Sequence, residues 1–132
     1  MEDYIVREID KIGVLLRGLL ARLGAGSGTD GRQAAEECRA ELRERLGLEL
    51  DSLLRREEFI GELCGRYGFG QEHLEQFAEL LFGLLRASSD AAERRRLAAC
   101  TVAVCRRLDA AGAPPSLGRY LILQQLEESF PI

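Results

Sequence analysis

The sequence predicts an all-α fold of about six helices, arranged as antiparallel hairpins in a stack or a compact bundle. Three observations predict it. Ala, Leu, Glu and Arg supply 71 of the 132 residues, and all four are strong helix formers. Six Ile and four Val are too few for a sizeable sheet. Apolar residues recur at three- and four-residue spacing between short breaks containing Gly, Pro and Ser, the pattern of helices joined by tight connections. With 46% apolar and 30% charged residues, residues 1–132 are expected to bury one core as a single domain.

The first helix is expected over 3–23. Its apolar seam is Ile5, Ile9, Ile12, Leu16, Leu19 and Leu23, with gaps alternating between four and three residues. That is a heptad seam, suited either to the chain's own core or to docking on another helix. Residues 24–31 hold four glycines and read as a flexible linker, leaving 32–132 as the helical-hairpin core. The stretch contains a G-x-G-x-x-G match at Gly26, Gly28 and Gly31. It follows a helix rather than a strand, so a nucleotide-binding reading fails.

The second helix, capped by Thr29 or Asp30, runs to Leu46 and buries Ala34/Ala35, Cys38, Leu42 and Leu46. Gly47 followed by Leu48 reads as a left-handed stop with its hydrophobic contact. Leu50–Leu54 forms one helical turn. A third helix over 56–66 buries Phe59, Ile60 and Leu63. Gly70 caps the fourth helix, with Phe69 stapled onto Leu74. That helix, Gln71 to Leu85, carries the stripe Leu74, Phe77, Ala78, Leu81, Leu84 and Leu85. Ser88, Ser89 and Asp90 turn the chain and cap the fifth helix, Ala91 to Ala111, which buries Leu97, Thr101, Val104, Cys105 and Leu108. Gly112, Pro114 and Pro115 stop it. Ser116 caps the last helix, Leu117 to Ser129, with Tyr120, Leu121, Leu123 and Leu126 as its apolar positions.

The residues that carry chemistry are sparse. Cys38, Cys64, Cys100 and Cys105 form no C-x-x-C pair, and the one histidine, His73, is far from each of them in sequence. They read as buried free thiols, and no metal or cofactor is expected. His73 sits in the first turn of the fourth helix and is expected to face solvent. No nucleophile, base and orienting acid are brought together by spacing, so the chain is not expected to be an enzyme. The formal net charge of −4 weighs against a general nucleic-acid binder. Glu2 and Asp3 have the wrong sign for a secretory signal. The longest apolar stretch, Ile12 to Ala21, is interrupted by Arg17 and too short to span a bilayer. The expectation is a cytoplasmic protein without a transmembrane segment.

The start, Asp3-Tyr4-Ile5-Val6-Arg7-Glu8-Ile9, resembles the opening of a family of short, uncharacterised, all-helical bacterial proteins that carry a domain of unknown function. The stretch from Leu50 to Gly112 is similar to the same family, through Glu58-Phe59-Ile60-Gly61-Glu62-Leu63, Leu74 and Ala78-Glu79-Leu80-Leu81. The resemblance implies an all-helical fold and no activity. The fourth and fifth helices also look like a tetratricopeptide-type hairpin, with Ala78 and Leu81 on one helix and Ala92, Ala99 and Ala103 on the other. The Trp, the Leu-Gly pair and the closing Pro of that repeat are missing.

Two functional expectations follow. The first is a non-enzymatic helical protein–protein interaction module, self-associating as a homodimer through the seam Ile5, Ile9, Ile12, Leu16, Leu19 and Leu23, or binding another protein. The second is a nucleic-acid-binding regulator that uses the arginine-rich fifth helix. There Arg95 and Arg106, eleven residues apart on one face, would contact phosphates.

Overall fold

The computed structural model describes the backbone of residues 2–25 and 29–130 and the side chains of 11–24 and 31–130. Its helices are α1 (Glu2–Ala25), α2 (Thr29–Leu46), α3 (Leu50–Leu54), α4 (Phe59–Gly65), α5 (Gln71–Ala87), α6 (Ala91–Ala110) and α7 (Leu117–Ser129). No strand occurs among the described residues. The all-α class is therefore as the composition predicts, with the single turn at Leu50–Leu54 counted as a helix of its own.

The helix ends follow local chemistry. The α2 helix stops at Gly47, whose φ of 66° is left-handed. The Gly47 N–H donates to Arg43 O and the Leu48 N–H to Leu42 O, while Leu48 is fully buried. This is the terminal motif in which glycine avoids the strain a Cβ would bring. Asp90 caps α6 by accepting from the Glu93 N–H at 2.8 Å, and Ser116 caps α7 by accepting from the Arg119 N–H at 3.1 Å. Each satisfies an otherwise orphaned donor at a helix start. Thr29 and Asp30 fall in the first turn of α2, and their side chains lie outside the described residues.

The α5 helix is the axis of the fold, packing against α1, α2, α6 and α7. Its buried residues include Leu74, Phe77, Ala78, Leu80, Leu81, Leu84 and Leu85. Burying each large side chain of this kind is worth about 1.5–3 kcal/mol. Gly13 of α1 approaches Gln76, and Leu23 approaches Gly83, where an added Cβ would stand 3.2 Å from Leu23 Cδ1. The two contacts ascend together, so α1 and α5 run parallel. The short 88–90 connection returns the chain antiparallel as α6. A second short connection, 111–116, brings α7 back antiparallel to α6, with Asp109 against Arg119 and Arg94 against Phe130.

Several positions differ from the sequence reading. Helix occupies Gly24, Ala25 and Thr29–Gly31 of the expected linker, leaving only 26–28, which lie outside the described residues. On α7 the buried set is Arg119, Ile122 and Leu126, while Leu117, Tyr120 and Leu121 are 73%, 62% and 51% exposed. Tyr120 and Leu121 are therefore not core positions. Cys64 is exposed, whereas Cys38, Cys100 and Cys105 are buried free thiols. His73 is buried rather than solvent-facing. Its Nδ1 accepts the Gly70 N–H at 3.0 Å, and its ring meets Phe69 edge-on at 5.8 Å. Phe69 packs in the same way on Phe77, so the staple closes on aromatic rings.

Candidate functional site

The α6 helix has two working faces. One faces the core through Leu97, Thr101, Val104, Cys105 and Leu108, with the Thr101 hydroxyl donating to Leu97 O at 2.6 Å. The other presents Ala91, Arg95, Ala99 and Arg106 to solvent, with Ala98 and Val102 buried between them at 3% and 6% exposure. Spacings of four, three or four, and seven or eight residues keep these on one side of a helix.

Across from that second face lie Leu123, Leu126, Glu127 and Phe130, and the space between is a groove of about 860 Å³. Its floor is apolar because the α6 residues there are small and the α7 residues opposite are Leu123 and Leu126. Arg95 and Arg106 line it on either side of Ala98, Ala99 and Val102, with Ala91 and Ser89 beyond Arg95. Eleven residues of helix separate the two arginines by about 16 Å along the axis. Both are exposed, and neither has an ion-pair partner among the described residues.

Arg94 is used differently. Its Nη1 donates to Leu85 O at 2.8 Å and Ser88 O at 3.0 Å, carbonyls at the end of α5. Its guanidinium lies 5.9 Å from the Phe130 ring centroid, within cation–π range. Arg94 thus fixes one end of the groove and is not spare for a ligand.

A buried polar clamp holds the far wall. The Arg119 side chain is 6% exposed. Its Nε donates to Asp109 at 2.8 Å, its Nη2 to Pro114 O at 3.0 Å, and its Nη1 to the Glu75 carboxylate. One side chain therefore ties α7 to α5, to the end of α6 and to the connecting loop. A planar guanidinium with five fixed donors suits three partners in different directions. Glu79 lies beside this clamp, with its carboxylate against Gly118. Burial, then the neighbouring Glu75 charge, raises its pKa.

Of the predicted seam residues, Leu16 and Leu19 are fully buried, at 0% and 1% exposure. Ile12 and Leu23 are half-buried and pack on the core. The second half of the seam is thus committed to the chain's own interior. The side chains of Ile5 and Ile9 lie outside the described residues. Beside the seam, α1 opens a second groove of about 1,040 Å³ against α2, lined by Ile12 and Leu19 of the seam together with Val14, Leu15, Gly18 and Leu46. Two arginines there, Arg22 and Arg45, share Glu41 at 3.7 Å each. That pairing sets it apart from the α6–α7 groove, where Arg95 and Arg106 have no ion-pair partner among the described residues.

The thiols are poor nucleophiles where they are buried. Burial pushes the Cys38 thiol up to about 12 and the Cys105 thiol up to about 11, far from the thiolate that such chemistry needs. Among the described residues, no group of three or more His, Cys, Asp or Glu side chains is placed to hold a metal ion. No helix among them is long and apolar enough to cross a membrane. Comparison with family models, with curated proteins and with solved structures finds no match.

Proposed function

We propose that the chain is a non-enzymatic protein–protein interaction module that receives an amphipathic helix with acidic flanks in the α6–α7 groove. One observation carries the reading: Arg95 and Arg106, each without an ion-pair partner among the described residues, stand on either side of an apolar floor. A partner helix would lay its apolar stripe on Ala99, Leu123 and Phe130, the apolar lining residues still open to solvent, and pair carboxylates with Arg95 and Arg106, the helix-in-groove mode of recognition. Small side chains on the floor let the partner backbone approach closely.

The phosphate-contact reading of Arg95 and Arg106 is less well supported by the same groove. A duplex presents charge at every step, whereas the stretch between these two arginines is apolar and Glu127 adds a negative charge to the wall.

Fluorescence anisotropy tests the proposal, using a designed amphipathic helical peptide with Glu residues eleven apart, a scrambled peptide of the same composition, and mixed-sequence duplex DNA. The patterned peptide is expected to bind with a dissociation constant of roughly 1–100 μM and to weaken several-fold as salt rises from ~0.05 to ~0.5 M. Arg95→Glu with Arg106→Glu should abolish that binding. Equal binding of scrambled and patterned peptide, or arginine-dependent binding of DNA alone, would overturn the proposal.

A further inference from the structure

We propose that the cleft between α1 and the start of α5 binds a small oxyanion, with hydrogen phosphate the best fit. The cleft holds about 270 Å³ and is lined by Gly13 and Arg17 of α1 and, from α5 and its cap, by Gly70, His73 and Gln76 among others. It shares no lining residue with the α6–α7 groove.

Helix α5 starts there without a side-chain cap. Gly70 holds the cap position, and the first helical bond runs from the Leu74 N–H to Gly70 O at 3.0 Å. The N–H groups of Gln71, Glu72 and His73 therefore have no acceptor within the helix. They carry the positive end of the helix dipole, which favours an anion.

Two side chains in the same cleft point to a ligand independently. His73 is 8% exposed, and its Nδ1 accepts the Gly70 N–H. The ring proton is therefore on Nε2, and that N–H has no acceptor among the described residues. Arg17 is exposed and has no ion-pair partner among the described residues. Its guanidinium reaches back over Gly13, where a Cβ would stand 3.3 Å from Nη1 and 3.8 Å from Gln76 Oε1. That oxygen is buried and accepts from no donor among the described residues. Gly13 thus keeps open the space that Arg17 and Gln76 border.

The ligand follows from the unpaired groups. A guanidinium, an imidazole N–H and the helix-end N–H groups all call for a charged oxygen acceptor. Gln76 Oε1 calls for a donor, and a shift of the exposed Arg17 side chain uncovers it. Hydrogen phosphate brings charged oxygens and one O–H, whereas sulfate has no O–H. Glu72 also lines the cleft, and its exposed carboxylate opposes the anion and keeps the affinity modest.

Inorganic phosphate titrated into the full chain at constant ionic strength tests the site, read by amide NMR and calorimetry. Saturable shifts are expected at the Gln71, Glu72 and His73 amides, with a dissociation constant of roughly 0.1–5 mM. Sulfate should bind about threefold more weakly or worse, because Oε1 stays unpaired. Arg17→Gln should weaken phosphate about tenfold or more, and Glu72→Gln should tighten it about twofold. Gly13→Ala should weaken it several-fold while favouring the α1 helix, since alanine is the better helix former. Arg95→Glu with Arg106→Glu should bind phosphate as the wild type does.

Circular dichroism checks that the Arg17→Gln and Gly13→Ala proteins stay folded. No saturable shift by ~50 mM phosphate, equal shifts with sulfate or chloride, or unchanged binding by the Arg17→Gln protein would overturn the inference. Loss of binding in the Arg95→Glu, Arg106→Glu protein would overturn it as well, because the anion would then sit in the α6–α7 groove.

Discussion

Helices α5 and α7 are both rich in leucine, yet they are held by different forces. The α5 helix buries residues on several sides, among them Phe77, Leu80 and Leu81 at 0% exposure. The α7 helix buries Ile122, Leu126 and Arg119 and leaves Leu117, Tyr120 and Leu121 in solvent. Apolar packing positions the first, and a guanidinium with three partners does much of that for the second. The difference teaches where a partner fits. A helix packed by four neighbours keeps mainly charged and polar residues such as Glu72, Glu79 and Arg86 in solvent, whereas one pinned by a point contact leaves a groove beside it.

The sharpest way to break the comparison is to truncate one large side chain on each helix. Phe77→Ala removes a fully buried ring that packs edge-on against Phe69. It should cost about 3–5 kcal/mol in urea unfolding, the range for emptying an aromatic core site. Leu121→Ala, at a half-exposed position, should stay within about 0.5 kcal/mol. Similar losses at both sites would mean that α7 is part of the core after all.

Arg119→Ala comes next. It removes charge-assisted bonds to Asp109 and Glu75, and about 2–3 kcal/mol should go with them. The loss should be local: hydrogen exchange should show the α7 amides losing protection before those of α5. Uniform loss along the chain would contradict the clamp.

The smallest effect concerns Glu79, between the two helices. Its folded-state pKa is raised by burial and then by Glu75. Its contribution to stability is therefore present below the ordinary carboxylate range and is lost as pH rises through the raised value. Glu79→Gln should accordingly raise the unfolding midpoint at pH ~7 and leave it unchanged at pH ~3. A change of the same size at both pH values would show that the carboxylate's charge is not the cause.

These contrasts also explain what could be read from the residues alone. The stripe Leu74, Phe77, Ala78, Leu81, Leu84 and Leu85 was legible because it keeps one helical period against polar neighbours. Leu80 lies off that stripe and is buried only because α5 has neighbours on several sides, which no local pattern announces. On α7, apolar residues stand at 117, 120, 121, 122, 123 and 126, on every side of the helix, so period could not select the inner face. Arg119 turns inward because Glu75 and Asp109 await it from other helices, a tertiary cause.

His73 shows the same limit at short range. Its place in a first turn suggested solvent, but the free Gly70 N–H three residues earlier and the Phe69 ring draw it in. For the candidate site, the shared face of Arg95 and Arg106 followed from their eleven-residue spacing. The alanine floor became a groove only once α7 stood opposite it. The α1 seam was legible as apolar, but that Leu16 and Leu19 are core was not, since a heptad seam suits the chain's own interior and a partner helix alike.

The most direct test of the account is methyl NMR of the full chain titrated with the designed acidic amphipathic peptide. Resonances of Ala98, Ala99 and Val102 in the groove should shift in a saturable, salt-sensitive way, while Leu81 and Leu84 inside α5 stay still. Shifts centred on α5, or on Val14 and Leu15 in the α1–α2 groove, with Ala98, Ala99 and Val102 silent, would contradict it.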